Sequence, residues 1–142
     1  MKSKLRLVLL AALFLAACGP NLDPAPPVAA TPPAGPVNGV FWSYQDTYAA
    51  INWYFGPYGQ HAVDCANLYD NRESGHWPYS DNGTHHGTFQ LGQGFWGSIV
   101  AHAVELGRVP SWYDPWLDAA AAADAYRTSG WSAWQPYISG CR

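Results

Sequence analysis

Lysine is absent from this 142-residue chain after position 4, and glutamate occurs only as Glu73 and Glu105. Beyond residue 17, four arginines stand against ten acidic residues, so this part carries a net charge of −6. Nucleic-acid binding needs cations that cluster on one surface. The shortage of positive charge therefore argues against a nucleic-acid partner, and the shortage of glutamate leaves two of them to consider as proton donors.

A long apolar run, residues 7–17, follows the basic start of the chain. The run is too short to span a bilayer as a mature helix, and its position fits an export signal. It leads into Leu-Ala-Ala-Cys-Gly at residues 15–19, which resembles a bacterial lipobox. The resemblance implies a signal peptide over residues 1–17, cleavage before Cys18 and a lipid on that cysteine. The alternative is an ordinary signal peptide in which Cys18 occurs by chance.

Proline and alanine dominate residues 18–39, which contain seven prolines. Because proline fixes φ and removes a backbone donor, this stretch predicts a semi-rigid linker without a core. Gly19 does not resemble the aspartate that retains lipoproteins at an inner membrane. We therefore expect an exported, lipid-anchored protein on the periplasmic face of the outer membrane in a two-membrane cell. In a one-membrane cell, it would lie on the outer face of that membrane.

The remaining residues, 40–142, suffice for one small domain with a modest core. They contain two cysteines, Cys65 and Cys141. A pair of cysteines in an exported protein predicts a disulfide, here between a central helix and the C-terminal segment. Two free buried thiols are the alternative.

Start and stop signals predict the first two helices of the domain. Ser43 followed by Asp46 resembles a capping box, and the apolar positions after it recur at helical spacing until Gly56. A second helix is predicted over about residues 60–72. Glu73 falls at the C-terminal end of this second helix.

The second half of the domain predicts a turn and two more helices. Asn82, followed by glycine, predicts a tight turn within a loop or short hairpin over residues 77–90. A third helix is expected over about residues 95–106, and a fourth runs from Asp114, as N-cap, to about residue 128. The alanine run of the fourth helix predicts close packing on a neighbour. The fold class is mainly α, with a small β or loop excursion.

Four short motifs follow one another along the domain: Arg-Glu-Ser-Gly at 72–75, Gly-Thr-Phe-Gln at 87–90, Ala-Tyr at 125–126 and Gly-Trp-Ser-Ala-Trp at 130–134. Their order, with an Asp-Pro helix start between the second and third, resembles that of the peptidoglycan lytic transglycosylases. The resemblance implies a lysozyme-like fold over residues 40–142, peptidoglycan glycan strands as substrate and no cofactor. It also implies that Glu73 is the sole catalytic acid and then the base.

The surroundings of Glu73 also predict an acid. The negative end of a helix dipole faces this position, and Trp77 and Phe89 are near in sequence. The dipole and apolar cover both raise the pKa of a carboxyl group, which suits a general acid near neutral pH. The alternative is a helix-end glutamate that is paired with Arg72. Glu105 is interpreted as a solvated surface charge on the third helix.

The resemblance and the aromatic content give a set of expected substrate contacts. Gly87 would allow the backbone to approach the sugar, Gln90 would position the glycan, and Tyr126 would face Glu73 across the cleft. Aromatic rings stack on the apolar faces of pyranoses, which makes several tryptophans and tyrosines candidates. The expected substrate-binding residues are Ser74, Trp77, Tyr79, His85, Gly87, Phe89, Gln90, Tyr126 and Trp131, with Trp134 as a further aromatic candidate.

The expected product depends on whether the site has a second carboxylate, because most glycosidases use two. In animal-type lysozymes it lies two residues before the glycine of the Gly-x-Phe-Gln motif, where this chain has His85. This difference favours a single-glutamate route, in which the substrate N-acetyl group assists and the muramyl C6 hydroxyl closes a 1,6-anhydro ring. Asp81 is a candidate second carboxylate on the turn, so a hydrolysing lysozyme stays open.

Three further functions fit the same residues. Residues 73–77 also resemble muralytic factors of the resuscitation-promoting type. A cell-wall-binding lipoprotein would keep the cleft without activity, and a lysozyme-like part of a secretion machine would cut the wall only locally. His76, His85 and His86 lack the regular spacing of a zinc site, so no metal is predicted.

Overall fold

The structure, a computed structural model, describes residues 32–36 and 41–142. The predicted signal peptide, the predicted lipidation at Cys18 and most of the predicted linker lie outside these residues. In the described part, the chain forms four α-helices, a two-stranded sheet and three short 3₁₀ helices, so the mainly α class is confirmed. None of the helices in this part is both long and apolar enough to cross a bilayer.

Helix α1 (Tyr44–Phe55) begins at the predicted capping box. The Ser43 backbone N–H donates to Asp46 Oδ2 (2.9 Å), and the Asp46 N–H donates to Ser43 Oγ (3.4 Å). These two bonds satisfy donors that a helix start otherwise leaves unpaired. The helix ends at Gly56, and its inward face buries Ala50, Ile51 and Phe55.

Helix α2 (Gln60–Ser74) is two residues longer than predicted and ends at Gly75, which adopts the left-handed conformation with φ 65°. Glu73 therefore lies in the last turn of α2. A disulfide joins Cys65 of α2 to Cys141, with their Cα atoms 5.6 Å apart. This is the predicted pairing, and closing so long a loop stabilises the fold by about 4 kcal/mol in the chain-entropy model.

The sheet is a short antiparallel hairpin of β1 (His85–His86) and β2 (Leu91–Gly92). Its strands turn at residues 87–90, where both Gly87 (φ 75°) and Gln90 (φ 50°) are left-handed. The turn predicted at Asn82-Gly83 is also present, and it joins Asp81 and His86 in an isolated antiparallel bridge.

A side chain and the backbone both stabilise the turn at Asn82-Gly83. Asn82 Oδ1 accepts hydrogen bonds from the backbone N–H groups of Thr84 (3.1 Å) and His85 (2.9 Å), and the Asn82 N–H donates to the His85 carbonyl (3.2 Å). The turn predicted within residues 77–90 is therefore confirmed. The strands β1 and β2 pair around a second turn, at residues 87–90, and extend to residue 92, beyond the predicted segment.

Helices α3 (Trp96–Glu105) and α4 (Pro115–Ser129) complete the domain. Asp114 caps α4 as predicted, since its Oδ1 accepts from the Trp116 N–H at 2.9 Å. The alanines of α4 are buried where this helix contacts α1 and α3. Small side chains allow the helix axes to approach closely, which agrees with the predicted packing.

Aromatic rings connect the helices to the hairpin. Phe55 of α1 stacks on Phe89 (5.7 Å between centroids) and on Trp131 (5.6 Å), and Trp131 stacks on Tyr69 of α2 (4.8 Å). Trp134 Nε1 donates to the Phe89 carbonyl at 3.2 Å. These contacts hold the hairpin and the C-terminal segment against the end of α2, and a cleft lies between the three.

Candidate functional site

The cleft at the end of α2 has a volume of about 280 Å³. Glu73 comes to it from α2, His85 from β1, Gln90 from the turn and Trp134 from the C-terminal segment. Three of the four motifs singled out in the sequence therefore contribute to one cavity. The motif at residues 125–126 does not.

Glu73 is the sole carboxylate among the described residues that line this cleft. Its side chain is 27% exposed. Oε1 accepts hydrogen bonds from Arg72 Nε (2.9 Å) and Nη2 (2.6 Å), whereas Oε2 has no hydrogen bond to a described residue. One oxygen is thus held by the protein, and the other is open to a ligand.

Arg72 forms the ion pair that the sequence offered as the alternative to a catalytic glutamate. Its Nη2 also donates to the Trp134 carbonyl at 3.2 Å, and its guanidinium lies 4.8 Å from the Tyr69 ring centroid. Arg72 therefore joins the last turn of α2 to the opposite wall of the cleft. The apolar cover expected from Trp77 and Phe89 is not formed, because neither residue lines the cleft.

Gln90 stands in the cleft with a backbone conformation that non-glycine residues seldom adopt. Its Nε2 donates to the carbonyls of Gly87 (3.0 Å) and Ser80 (3.2 Å). The side-chain nitrogen is therefore used to fix the turn, and Oε1 has no hydrogen bond to a described residue. Backbone strain of this kind is often found where a side chain must be presented to a ligand.

His85 lies on the hairpin wall of the cleft. Its Nδ1 is 2.9 Å from Thr84 Oγ1, and its ring packs over Gly92, where an added Cβ would come within 3.4 Å of the imidazole. A neutral imidazole can both donate and accept hydrogen bonds. The position that the resemblance assigns to a second carboxylate is thus occupied by a group that cannot act as one.

Asp81, the other candidate for a second carboxylate, does not line the cleft. Its oxygens accept from the Tyr113 hydroxyl (2.6 Å) and the Gly83 N–H (2.6 Å), and they lie 3.0 Å from His86 Nδ1. These hydrogen bonds, that of Tyr113 first, lower the pKa of Asp81 to about 2. The structure therefore does not bring Asp81 together with Glu73.

Gly87 has a different role from the expected one. A Cβ at this position would come within 2.3 Å of Asp118 Oδ2 and 2.4 Å of the Trp112 carbonyl oxygen. The space beside its Cα is thus filled by the protein itself, and no sugar can approach there. Glycine is required here for packing and for its positive φ.

Several other expected substrate contacts also lie away from the cleft. Phe89 is fully buried and Trp131 is 4% exposed, both within the aromatic core, where ring packing competes with sugar stacking for the same residue types. Tyr126 packs on Trp131 (4.6 Å) and borders a different hollow. Ser74 Oγ donates to the Asp70 carbonyl (3.2 Å). Trp77 and Tyr79 lie on an outer surface that is described below.

Asp118 is a site residue that the sequence did not identify. It is fully buried in α4, and its Oδ1 accepts from Thr88 Oγ1 and from the Phe89 N–H, both at 2.8 Å. Burial raises the pKa of this carboxyl group to about 8. Through its two hydrogen bonds to residues 88 and 89, Asp118 fixes the turn that carries Gln90. Its signal was present as an acid directly before the alanine run, four residues after the cap of α4.

A second buried acid fixes the chain just after Glu73. Asp70 of α2 is hydrogen-bonded to His76 Nδ1, and His76 has a left-handed backbone with φ 63°. Burial raises the pKa of Asp70, although the His76 contact acts in the opposite direction. Residues 32–36 and 41–142 contain no group of three or more side chains that could hold a metal ion.

Comparisons with known proteins identify no relative: no protein-family model, no curated protein and no solved structure matches this chain. Its function is therefore argued from the residues of the cleft and from the motifs that meet there.

Proposed function

We propose that this protein is a peptidoglycan lytic transglycosylase of the lysozyme-like superfamily. Its reaction is cleavage of the β-1,4 bond between N-acetylmuramic acid and N-acetylglucosamine. The observation that carries the proposal is the composition of the cleft: one carboxylate, Glu73, with an amide, Gln90, and an imidazole, His85, on the other walls. A hydrolase that uses two carboxylates needs a second carboxylate in the cleft, in addition to the general acid.

In the first step, Glu73 donates a proton from Oε2 to the glycosidic oxygen. The bond between that oxygen and the muramyl C1 breaks, and the N-acetyl oxygen of the muramyl residue bonds to C1. In the second step, the Glu73 carboxylate removes the proton from the C6 hydroxyl. The C6 oxygen then bonds to C1, displaces the N-acetyl oxygen and closes the 1,6-anhydro ring. The proton is returned to Glu73, and no water is consumed.

Arg72 regulates this chemistry through its contact with Glu73. A guanidinium beside a carboxylate stabilises the charged form, so glycan entry has to loosen the ion pair before Glu73 can donate. Arg72 has other acceptors, the carbonyls of Trp134 and Pro136, and these retain its hydrogen bonds when it leaves Oε1. Between the two steps, the renewed ion pair stabilises the Glu73 carboxylate as it waits to act as base.

The experiment is mass spectrometry of the fragments that the protein releases from purified peptidoglycan. We expect anhydro-muropeptides from the wild type and about 100- to 10,000-fold less from Glu73→Gln, since the loss of a general acid typically costs two to four orders of magnitude. Glu105→Gln is the matched control, because it changes the other glutamate of the chain, whose side chain is 70% exposed on α3. Fragments with reducing ends would identify a hydrolysing lysozyme instead.

A glycan-binding lipoprotein without activity is the second candidate, and the ion pair of Glu73 with Arg72 at 2.6 Å favours it. In that case, wild type and Glu73→Gln would bind peptidoglycan equally and neither would release fragments. That pair of results would overturn the proposed enzyme.

Location is part of the proposal, because peptidoglycan lies outside the cytoplasmic membrane. We propose export and a lipid on Cys18, with the linker holding the domain near the membrane surface. Mass analysis of the mature N-terminal peptide tests this step: a diacylglyceryl cysteine is expected, and Cys18→Ser is expected to release the protein from the membrane fraction.

A further inference from the structure

Four aromatic rings, two of them exposed and two half-buried, form a continuous strip outside the Glu73 cleft. Tyr44 of α1 contacts Trp77 (5.3 Å between centroids), Trp77 contacts Tyr79 (5.5 Å), and Tyr79 contacts Tyr113 (6.0 Å). Tyr44 is 45% and Trp77 41% exposed. Three separate parts of the chain contribute these rings, so the strip, as we call these four residues, is a product of the tertiary fold.

Hydrogen bonds hold two rings of the strip in place. The Tyr79 hydroxyl accepts from the Trp42 N–H at 2.9 Å, and the Tyr113 hydroxyl donates to Asp81 Oδ2 at 2.6 Å. Ordering a side chain on binding costs free energy, and for Tyr79 and Tyr113 this ordering exists without a ligand. Contiguous exposed apolar surface on a small domain is typical of a binding site.

The charge beside the strip selects the kind of ligand. Asp81 places a carboxylate at the Tyr113 end, and hydrogen bonds keep its pKa low. The two arginines that lie over rings in the described residues contact Tyr69 and Trp42, not the strip. A carboxylate repels phosphates and anionic lipid headgroups, but it accepts hydrogen bonds from hydroxyl and amide N–H groups. The strip therefore complements a neutral, hydroxyl-rich chain of sugars.

The strip begins close to the cleft. The Trp77 N–H donates to the carbonyl of Ser74, the residue after Glu73, at 3.4 Å. Gln90, which lines the cleft, donates to the carbonyl of Ser80, the residue after Tyr79. Backbone hydrogen bonds thus connect the segment that carries Trp77 and Tyr79 to residues of the cleft on both sides, at Ser74 and at Gln90.

We propose that the strip of Tyr44, Trp77, Tyr79 and Tyr113 is a non-catalytic binding surface for β-1,4-linked N-acetylated glycan, which holds polymeric substrate beside the Glu73 cleft. The inference rests on the proposed function for the identity of the glycan. It adds a site and a preference: the enzyme acts on long strands better than on short fragments, because only long strands reach both surfaces.

Binding is tested with the full-length protein carrying Glu73→Gln, which does not cut its ligand, and with chitohexaose as the probe. Calorimetric titration should show roughly 10-fold weaker binding after Trp77→Ala, the loss of one aromatic anchor. Tyr137→Ala is the matched control, since Tyr137 is 43% exposed and outside the strip; it should leave the affinity unchanged. Tyr44→Ala repeats the test at a helix surface, in case the Trp77 variant does not fold.

Cleavage assays distinguish a failure of the strip proposal from a failure of the proposed function. In the protein with Glu73 intact, Trp77→Ala should raise KM for polymeric peptidoglycan about 10-fold and leave kcat, and the cleavage of a soluble tetrasaccharide, unchanged. Normal cleavage with unchanged KM and affinity in both strip variants would overturn the strip and leave the enzyme. No cleavage by wild type, with affinity lost in the strip variants, would overturn the enzyme and leave the strip. Binding to phosphatidylglycerol vesicles instead of chitohexaose would show a membrane surface and overturn the inference.

Discussion

The helical part of this domain and its hairpin are held in place by different kinds of contact. Along α4, fully buried alanines such as Ala121 and Ala122 pack on α1 and α3, and each contributes a small share of the burial. The hairpin has strands of two residues, too short to be stable alone. Its position depends on a few buried polar contacts, above all those that Asp118 makes with residues 88 and 89.

This difference matters because two walls of the cleft belong to the hairpin, whose position depends on a few contacts. His85 and Gln90 belong to the hairpin, whereas Glu73 belongs to the last turn of a long helix. Loss of one alanine contact changes the stability of a helix pair by a small amount, but loss of the Asp118 contacts moves two walls of the cleft. We therefore expect substitutions in the hairpin to have larger effects than equivalent ones in the helices.

The largest effect should follow Gly87→Ala. The new Cβ would overlap Asp118 Oδ2 and the Trp112 carbonyl, and such overlap with a fixed backbone atom in a strained conformation should lower the free energy of unfolding by about 4 kcal/mol or more. Gly83→Ala is the matched control in the same loop, because Gly83 also has a positive φ (87°) but has nothing within 4 Å of an added Cβ. Its cost should be about 1 kcal/mol.

Urea unfolding of the two glycine variants measures this contrast. Equal losses of stability would mean that backbone conformation alone decides the cost at both positions. The close approach of α4 to the hairpin would then not be the contact that holds the cleft in place.

The helices were predictable from the sequence because their signals are local. Ser43 with Asp46 and Asp114 before Pro115 mark helix starts that depend only on neighbouring residues. The turn at Gly87 was not predictable in its true role, since Asp118 and Trp112, the residues that require glycine, are distant in sequence. The turn at Asn82-Gly83 was predictable because Asn-Gly is a strong local turn signal, whereas the pairing of residues 85–86 with 91–92 was not predicted.

A smaller effect is expected from Asp118→Asn, and it depends on pH. The pKa of Asp118 is raised to about 8 in the folded protein, so the proton that it binds stabilises the fold fully below about pH 4, and this stabilisation is lost as pH rises towards 8. Wild type should therefore lose unfolding free energy as the pH rises through that range. Asparagine keeps an acceptor for Thr88 and Phe89 but cannot ionise, so the variant should lose less.

Thermal unfolding at pH 5 and pH 8 checks this prediction. The pKa values of Asp70 and Asp114 are also raised by burial, so part of the pH dependence should persist in the variant. An unchanged difference between the two pH values after Asp118→Asn would mean that these other acids cause all of it.

The candidate site was predictable only in part. Glu73, His85 and Gln90 were named from motif order and do share one cleft. Aromatic residues were the main source of error, because a tryptophan that stacks on sugar and one that fills a core have the same local sequence signature. Trp131 is in the core and Trp77 on the surface, and only the tertiary packing of their neighbours separates them.

The smallest effect should follow Ser43→Ala in the helical part. The substitution removes the side chain that accepts from the Asp46 N–H, and loss of an N-cap typically costs about 1 kcal/mol. Ser129→Ala, at the exposed C-terminal end of α4, should cost less than about 0.5 kcal/mol as a control. Hydrogen exchange should show faster opening only in the first turn of α1, because α1 keeps its buried contacts with α2 and α4. If faster exchange instead spreads to residues 85–92, the two regions are coupled, and the hairpin depends on helix capping as well as on Asp118.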